Sequence, residues 1–298
     1  MNRRTALRYS AAIVAPLLVL WLVGSAMLCE GTLHGRPTAA PNMELLAGRF
    51  PETTWREVNI TAQDGVQLDA YFVRPATGPA DAGCVVVLHG IGDSRGAGAV
   101  GFVPMLRGYS VLLPDIRAHG TSGGDLITFG VREKDDVLRW VRWLRDEQHC
   151  GHIYGLGESL GGAILIQAAG VDPGAFDAIV AESAFADLRS IAEYRVSQQV
   201  PAWLARPLVA GSLWYAWARY GLDLWQASPA LAIAKAKTPI LLIHGLADTA
   251  TPPEHSQRIA AAGNATLWLV PSAQHTSASA AAPREFHDRV LAWFKPRR

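Results

Sequence analysis

A serine flanked by glycines, set between a predicted strand and a predicted helix, is the feature that most constrains this chain. Residues 154–162 read Tyr-Gly-Leu-Gly-Glu-Ser-Leu-Gly-Gly, a G-x-S-x-G pattern centred on Ser159. An apolar run from Ile153 predicts a short buried strand, and residues 163–167 predict the following helix. Such a reversal crowds the backbone, and glycines at both flanking positions relieve that crowding. The pattern predicts an exposed hydroxyl beside a helix N-terminus, whose partial positive charge faces any anion formed there.

Length and charge narrow the classes of protein. At 298 residues, the chain is long enough for one large α/β domain or two small ones. Its residues are 50% hydrophobic and its formal net charge is only +1. A sizeable core is therefore expected, whereas a polyanionic partner such as nucleic acid is not.

The cysteines predict neither a metal site nor a disulfide framework. Cys29, Cys84 and Cys150 have no metal-ligand spacing, and their number is odd. Cys84 opens an apolar run and is expected to be a core residue. No group of histidines and carboxylates has ligand spacing in the sequence, so a metal enzyme is disfavoured. The chemistry of a serine nucleophile, considered below, requires no cofactor.

The N-terminal segment, residues 1–29, is predicted to be a signal anchor or a signal peptide. Three arginines (Arg3, Arg4 and Arg8) precede an uncharged stretch over 10–29, and Glu30 follows it. As a helix, this stretch just crosses a hydrocarbon core of about 30 Å. The arginines place the N-terminus in the cytoplasm, so the rest of the chain should lie on the periplasmic side.

Three fates of this segment are compatible with its sequence. A retained anchor, giving a single-pass membrane protein, is favoured because the apolar run continues to Leu28. Cleavage near Ala26, which would release the protein as a secreted one, is the alternative because residues 24–26 are small. A lipoprotein is disfavoured because Leu28 is too large for the position before Cys29.

Residues 30–54 are predicted to form a linker, since glycines and prolines interrupt them without hydrophobic periodicity. The folded domain is expected over 55–298. Strand-like runs recur through it, and the first two form a hairpin around Asp64-Gly65. The predicted strands cover 58–61, 66–73, 84–88, 111–113, 153–154, 178–181, 240–243 and 267–270.

Helical patterns lie between several of these strands. In the clearest, Val137, Trp140, Val141 and Leu144 fall on one face, with acidic residues before them and arginines after. Strands that alternate with helices predict an α/β fold, with a mostly parallel central sheet and helices on both faces.

The alternation fails over about 184–237, where no strand is predicted. Aromatic residues accumulate there instead, at Trp203, Trp214, Trp217, Tyr220 and Trp225. This region is predicted to be a small helical cap, inserted before the penultimate strand and lying over the strand ends where ligands bind. The alternative is that these aromatics form only the core of the cap itself.

A serine becomes a nucleophile when a base takes its proton and an acid holds that base in place. His275 and Asp248 follow two consecutive predicted strands and are the expected base and acid. His119 is the competing base, and Glu182, at the end of the strand before the cap, is the competing acid. Asp115 follows too early a strand.

The remaining histidines are expected to serve structure. His89 and His244 should hold their turns by hydrogen bonding, and His255 and His287 should lie in surface helices. The amides of Leu160 and Ile91 are expected to form the oxyanion hole. Arg95, in the same loop as Ile91, should hold the loop, meet a substrate carboxylate or be solvated.

From Trp55 to Phe294 the chain resembles the α/β-hydrolase superfamily, in particular the serine aminopeptidase-like and esterase-like bacterial branch. The matching segments are 88–90, 115–122, the turn at Ser159, 244–248 and His275. The chain departs from the resemblance at Ala118, where the usual core of the second segment has glycine, and its cap is short.

The resemblance implies the α/β-hydrolase fold and a Ser-Asp-His triad of Ser159, Asp248 and His275. Together with the N-terminal segment, it implies an exported, membrane-anchored serine hydrolase that cleaves an ester, thioester or amide bond. A peptidase or amidase, and a catalytically silent ligand-binding homologue, are the alternatives. A small-molecule, acyl or peptidyl substrate is expected, and the motifs do not distinguish among these.

Overall fold

The computed structural model describes residues 3–34, 48, 50–75 and 83–295 of the chain. Most of the predicted linker therefore lies outside the described residues. One mostly parallel sheet forms the centre of the domain. Its strands are β1 (Thr53–Thr61), β2 (Gln67–Pro75), β3 (Cys84–Leu88), β4 (Ser110–Pro114), β5 (Ile153–Glu158), β6 (Ala178–Glu182), β7 (Ile240–Gly245) and β8 (Ala265–Val270).

The described strands lie in the order β1-β2-β4-β3-β5-β6-β7-β8. Strand β2 is antiparallel to both of its neighbours, and the strands from β3 to β8 are parallel. The predicted α/β-hydrolase fold is confirmed by this arrangement. Parallel strands place their carboxyl ends on one edge, and so the loops after β5, β7 and β8 meet there.

Helices cover both faces of the sheet. The described α-helices are α1 (Arg3–Leu33), α2 (Glu133–Asp146), α3 (Leu160–Val171), α4 (Leu188–Ser197), α5 (Ala202–Tyr220), α6 (Pro229–Ile233), α7 (Glu254–Ala262), α8 (Ala278–Ala281) and α9 (Pro283–Trp293). Alternate residues of β3 enter different cores: Val86 packs with α2 and α3, whereas Val85 and Val87 pack on the side of α9. A strand buried on both faces is continuously apolar for this reason.

The predicted cap region contains α4, α5 and α6. Helix α5 lies beside α1, and three pairs of contacts follow the same order along both helices. Trp21 contacts Pro207, Ser25 contacts Gly211, and Glu30 accepts hydrogen bonds from the hydroxyl of Tyr220. The two helices therefore run parallel.

Helix α1 ends at Leu33, so the first residues of the predicted linker are helical. Ser25, Cys29 and Leu33 are buried at a spacing of four residues, which places them on one helix face. A methyl group at Gly211 would overlap the side chains of Ser25 and Trp21. Small residues at this contact let the two helices approach closely, and the C-terminal part of α1 thereby joins the folded domain.

Cys84 and Cys150 form a disulfide, with their Cα atoms 5.9 Å apart. The prediction that Cys84 is only a core residue, with no disulfide to be inferred, is therefore wrong. Strands β3 and β5 are parallel neighbours, and Cys84 pairs in register with Ile153, three residues after Cys150. The fold thus brings the two cysteines to the same edge of the sheet, while Cys29 stays free and buried.

Candidate active site

Ser159 occupies the sharp turn between β5 and α3, with φ 50° and ψ −112°. This is strained backbone for a residue with a side chain. A Cβ at Gly157 would overlap the backbone of Gly161, and a Cβ at Gly161 would overlap the carbonyls that end β3. The Ser159 amide donates to the carbonyl of Glu182 at 2.7 Å. Close backbone packing therefore requires both glycines and holds the serine in its turn.

The loops after β7 and β8 bring an acid and a base to this serine. His275 Nε2 lies 2.9 Å from Ser159 Oγ, and His275 Nδ1 lies 2.8 Å from Asp248 Oδ2. A carboxylate only accepts hydrogen bonds, so the proton of His275 belongs on Nδ1. Its Nε2 is then free to accept the hydroxyl proton of Ser159.

The carboxylate of Asp248 is buried and is surrounded by several hydrogen-bond donors. The backbone N–H groups of Ala250 and Thr251 donate to its Oδ1, at 2.9 and 2.8 Å. His244 Nε2 lies 3.2 Å from Oδ2. Burial acts to raise the pKa of Asp248, but the hydrogen bonds from His244, His275 and Thr251 outweigh it and hold the pKa well below its usual value. Asp248 is therefore charged throughout the neutral range.

The competing acid, Glu182, lies behind the site. Its Oε1 accepts from the amide of Ala278 at 2.8 Å, and its Oε2 is buried with no hydrogen-bond partner among the described residues. Burial raises the pKa of Glu182 to about 7, against the opposing effect of the Ala278 amide. The structure thus brings Asp248, rather than Glu182, into hydrogen-bond contact with His275.

The competing base, His119, is buried, and its Nδ1–H donates to the carbonyl of Arg117 at 2.9 Å. Its ring packs against His89, with 5.1 Å between the ring centroids. His89 Nδ1–H donates to Gly90, and its Nε2 accepts from the amide of Ile116. These contacts show two histidines that hold the loops after β3 and β4, while His275 lies against the serine.

Two further histidines hold loops at the opposite side of the site. His244 Nε2–H donates to the carbonyl of Thr251 at 2.7 Å, and its Nδ1 pairs with the hydroxyl of Ser256 at 2.6 Å. His255 was expected in a surface helix, but its side chain is buried. Its Nδ1 accepts a hydrogen bond from the amide of Ala186. His287 lies on the surface of α9 and pairs with Asp288.

The candidate oxyanion amides flank the serine. Leu160 begins α3 directly after Ser159, and Ile91 lies in the loop after β3. That loop passes close to the nucleophile, since a Cβ at Gly90 would lie 3.6 Å from Ser159 Cβ. Ile91, Ser159 and Leu160 line one cavity.

Arg95 supports the same loop rather than facing a ligand. It is buried, with its guanidinium carbon 4.1 Å from the centroid of the Tyr71 ring. Its amide donates to Asp115 Oδ1 at 2.7 Å. Of the three roles expected for Arg95, the structure supports the first, in which the side chain holds the loop after β3.

A cavity of about 310 Å³ opens beside Ser159. Most of its lining is apolar and includes Phe129, Phe185 and one face of α4. Leu28 and Thr32 of α1 also line it. The sequence predicts Leu28 in the membrane segment and Thr32 in the linker, and neither residue was expected at the site. The i, i+4 spacing of Leu28 and Thr32 was the available indication.

Several known proteins are similar to this chain in sequence. The profile of the Prolyl oligopeptidase family matches residues 101–297. The uncharacterized protein YfhR of Escherichia coli strain K12 is 27% identical over 228 residues, which cover 74% of this chain and 73% of that protein. The uncharacterized protein YqkD of Bacillus subtilis strain 168 is 27% identical over 220 residues, covering 71% and 70%.

Among solved structures, the esterase Pf2001 of Pyrococcus furiosus superposes with a TM-score of 0.69 at 24% identity. The superposition covers 88% of this chain and 98% of that one. This likeness shows a shared fold, since sequence identity is low.

Proposed function

Because the chain belongs to the prolyl oligopeptidase family and has the α/β-hydrolase fold, we propose that it is a serine hydrolase acting through an acyl-enzyme. The observation that carries the proposal is the chain of hydrogen bonds from Asp248 through His275 to Ser159, at 2.8 and 2.9 Å. These distances fit a base poised to take a hydroxyl proton and an acid that fixes its tautomer.

In the acylation step, Ser159 Oγ attacks the substrate carbonyl carbon while His275 Nε2 takes its proton. The carbonyl oxygen becomes an oxyanion, which the amides of Leu160 and Ile91 stabilise. As the tetrahedral intermediate collapses, His275 gives that proton to the departing alcohol, thiol or amine. Asp248 stays ionised and stabilises the imidazolium.

In the deacylation step, a water attacks the acyl-enzyme carbonyl and gives a proton to His275 Nε2. The proton then returns to Ser159 Oγ as the ester bond breaks. The products are a carboxylic acid and a regenerated enzyme, and the cycle uses no cofactor.

We propose an ester or thioester with an apolar acyl group as the substrate. The mainly apolar cavity beside Ser159 supports this choice, because such a cavity favours an aliphatic chain over a polar peptide backbone. The family name supports the alternative, a peptidase or amidase. A catalytically silent homologue is less well supported, because Ser159, His275 and Asp248 keep hydrogen-bonding geometry.

We also propose that the domain is exported and stays attached to the membrane through α1. Among the described residues, Val14–Leu33 is long and apolar enough to cross a bilayer. The Cys84–Cys150 disulfide supports export, because structural disulfides persist in oxidising compartments and are rare in the cytosol.

Covalent labelling with a fluorophosphonate tests the reaction class. The full chain should label at Ser159, and Ser159→Ala and His275→Ala should each abolish labelling. Gln274→Ala, an exposed neighbour of the base, is the matched control and should label as wild type. Labelling that persists in Ser159→Ala would contradict the proposal. Chromogenic esters graded by acyl length, assayed beside aminoacyl amides, would then separate esterase from peptidase.

A further inference from the structure

One face of α4 forms a wall of the cavity beside Ser159, where Leu188, Ile191 and Val196 line it in succession. Eight positions separate Leu188 from Val196, so this wall extends for about 12 Å. Val200, in the turn after α4, and Leu208 of α5 also line the cavity. A wall of this length suits an extended apolar chain whose carboxyl carbon meets the serine.

The side of this cavity is closed by the helix that is long enough to cross a membrane. Leu28 and Thr32 line it from α1, and Leu208 lines it from α5, where its side chain contacts Gly24 of α1. Helix α1 thus forms one wall of the cavity beside Ser159, in addition to its proposed role as the membrane anchor.

The N-terminal part of α1 extends beyond the domain. The described side chains from Val14 to Leu20 are exposed on every face of the helix, whereas from Trp21 onward one face is buried. An apolar helix exposed all round is expected to lie in lipid. The part of the cavity at Leu208 lies beside Gly24 and hence near the point where α1 leaves the domain.

The outer face of α5 has the composition of a membrane interface. Trp203 is 77% exposed, and Trp214 and Trp217 are each more than half exposed. Arg206 and Arg219 are the exposed charges of this helix. Exposed tryptophans together with arginines are typical of surfaces at the headgroup level of a bilayer. Because α5 runs parallel to α1, Trp203 lies about 6 Å beyond the Trp21–Pro207 contact, toward the projecting part of α1.

From these observations, and resting on the proposed function, we propose that the enzyme hydrolyses esters of long-chain fatty acids held in the membrane. The acyl chain enters the cavity from the lipid, beside the point where α1 leaves the domain. Ser159 then forms the acyl-enzyme, and water releases the fatty acid while the alcohol leaves as in the reaction above.

The full chain in nanodiscs of phosphatidylcholine and phosphatidylglycerol tests this proposal. The measured quantity is the ratio of kcat/KM for 4-nitrophenyl dodecanoate to that for 4-nitrophenyl acetate. Wild type should favour the dodecanoate at least tenfold. Leu28→Trp, which fills the cavity, should lower the ratio at least tenfold. Met27, which directly precedes Leu28 on the same helix, is 70% exposed. Met27→Trp is therefore the matched control and should keep the wild-type ratio.

A second pair of variants, located outside α1, tests the same cavity in case the α1 variants misfold. Val200→Trp blocks the cavity from the cap side, and its exposed neighbour Gln198→Trp does not line it. The proposal is overturned if the ratio is unchanged in both Leu28→Trp and Val200→Trp, or falls equally in their controls. It is also overturned if wild type labels at Ser159 yet favours the acetate. Loss of labelling and of both hydrolyses in wild type would instead contradict the proposed function itself.

Discussion

The indole N–H of Trp21 donates a hydrogen bond to the carbonyl oxygen of Pro207 at 2.9 Å, across 186 positions of sequence. This contact joins the apolar N-terminal helix to the cap. With the Glu30–Tyr220 hydrogen bonds further along, it fixes α1 against α5 over more than two turns. The proposed anchor is consequently part of the wall of the proposed active site.

Gly211→Leu should separate α1 from α5. A larger side chain would overlap Ser25 and Trp21, and overpacking of this kind costs about 1–3 kcal/mol of the free energy of unfolding. Thermal denaturation of the full chain should show the loss. Ala218→Leu, on the exposed side of the same helix, is the control and should leave the melting temperature nearly unchanged. Equal melting temperatures for Gly211→Leu and wild type would show that the helix contact contributes little to stability.

Asp248→Asn should lower kcat by a factor of about 10³ to 10⁴. This corresponds to about 4–5.5 kcal/mol of transition-state stabilisation. Two backbone amides donate to Oδ1, so the amide oxygen of Asn should take that position and its NH₂ should face His275. His275 Nδ1 must then accept, which moves the ring proton to Nε2 and removes the base from Ser159.

Glu182→Gln is the comparison for that variant and should lower kcat less than tenfold. The pKa of Glu182 is raised to about 7, so its neutral form is already populated at neutral pH, and Gln resembles this form. Both variants would be assayed at saturating substrate, with melting temperatures measured to detect misfolding. A large loss in Glu182→Gln beside a mild loss in Asp248→Asn would reverse the assignment of the acid.

Breaking the disulfide should destabilise the domain without altering the site. The bond closes a loop across 66 positions, and loss of such a link costs about 2–5 kcal/mol. Cys84→Ser should therefore lower the melting temperature by roughly 5–15 °C. A reductant should lower the melting temperature of wild type and of the control Cys29→Ala, but not that of Cys84→Ser. Insensitivity of wild type to reductant would indicate that the bond does not form.

Stability should fall as the pH rises through the neutral range. Burial, followed by the charges of Glu182 and Asp93, raises the pKa of Glu158 to about 8. The folded state therefore binds more protons than the unfolded state between about pH 4.5 and 8, so the free energy of unfolding decreases as these protons are lost. Glu158→Gln should flatten the decline in melting temperature between pH 6 and 9. Parallel curves for the variant and wild type would exclude this residue as the cause.

The orientation of the chain is open to a reporter test. An alkaline phosphatase fused after Asn42 should be active, because the arginines at the N-terminus favour the cytoplasm and so place residues after Glu30 outside it. A reporter that works only in the cytoplasm should be inactive at the same position. Mass spectrometry of the mature N-terminus would distinguish an intact α1 from a chain cleaved near Ala26.

The elements of the fold and the position of Ser159 were determined by local sequence. Strands β3 to β7 are short apolar runs, and their continuous hydrophobicity reports burial on both faces whatever their neighbours are. The glycine-serine-glycine pattern at Ser159 lies within five residues, although of its two overlaps only that of Gly157 with Gly161 is with nearby backbone. Patterns of this range can be found without knowledge of the tertiary structure.

The tertiary structure decided which groups meet. Asp248 and Glu182 both lie near strand ends on one edge, and only the direction of their side chains separates the partner of His275 from a buried neighbour. The disulfide required β3 and β5 to be adjacent, which the spacing of Cys84 and Cys150 does not encode. The docking of α1 depended on small residues that look ordinary in an apolar helix, because their effect appears only when another helix approaches.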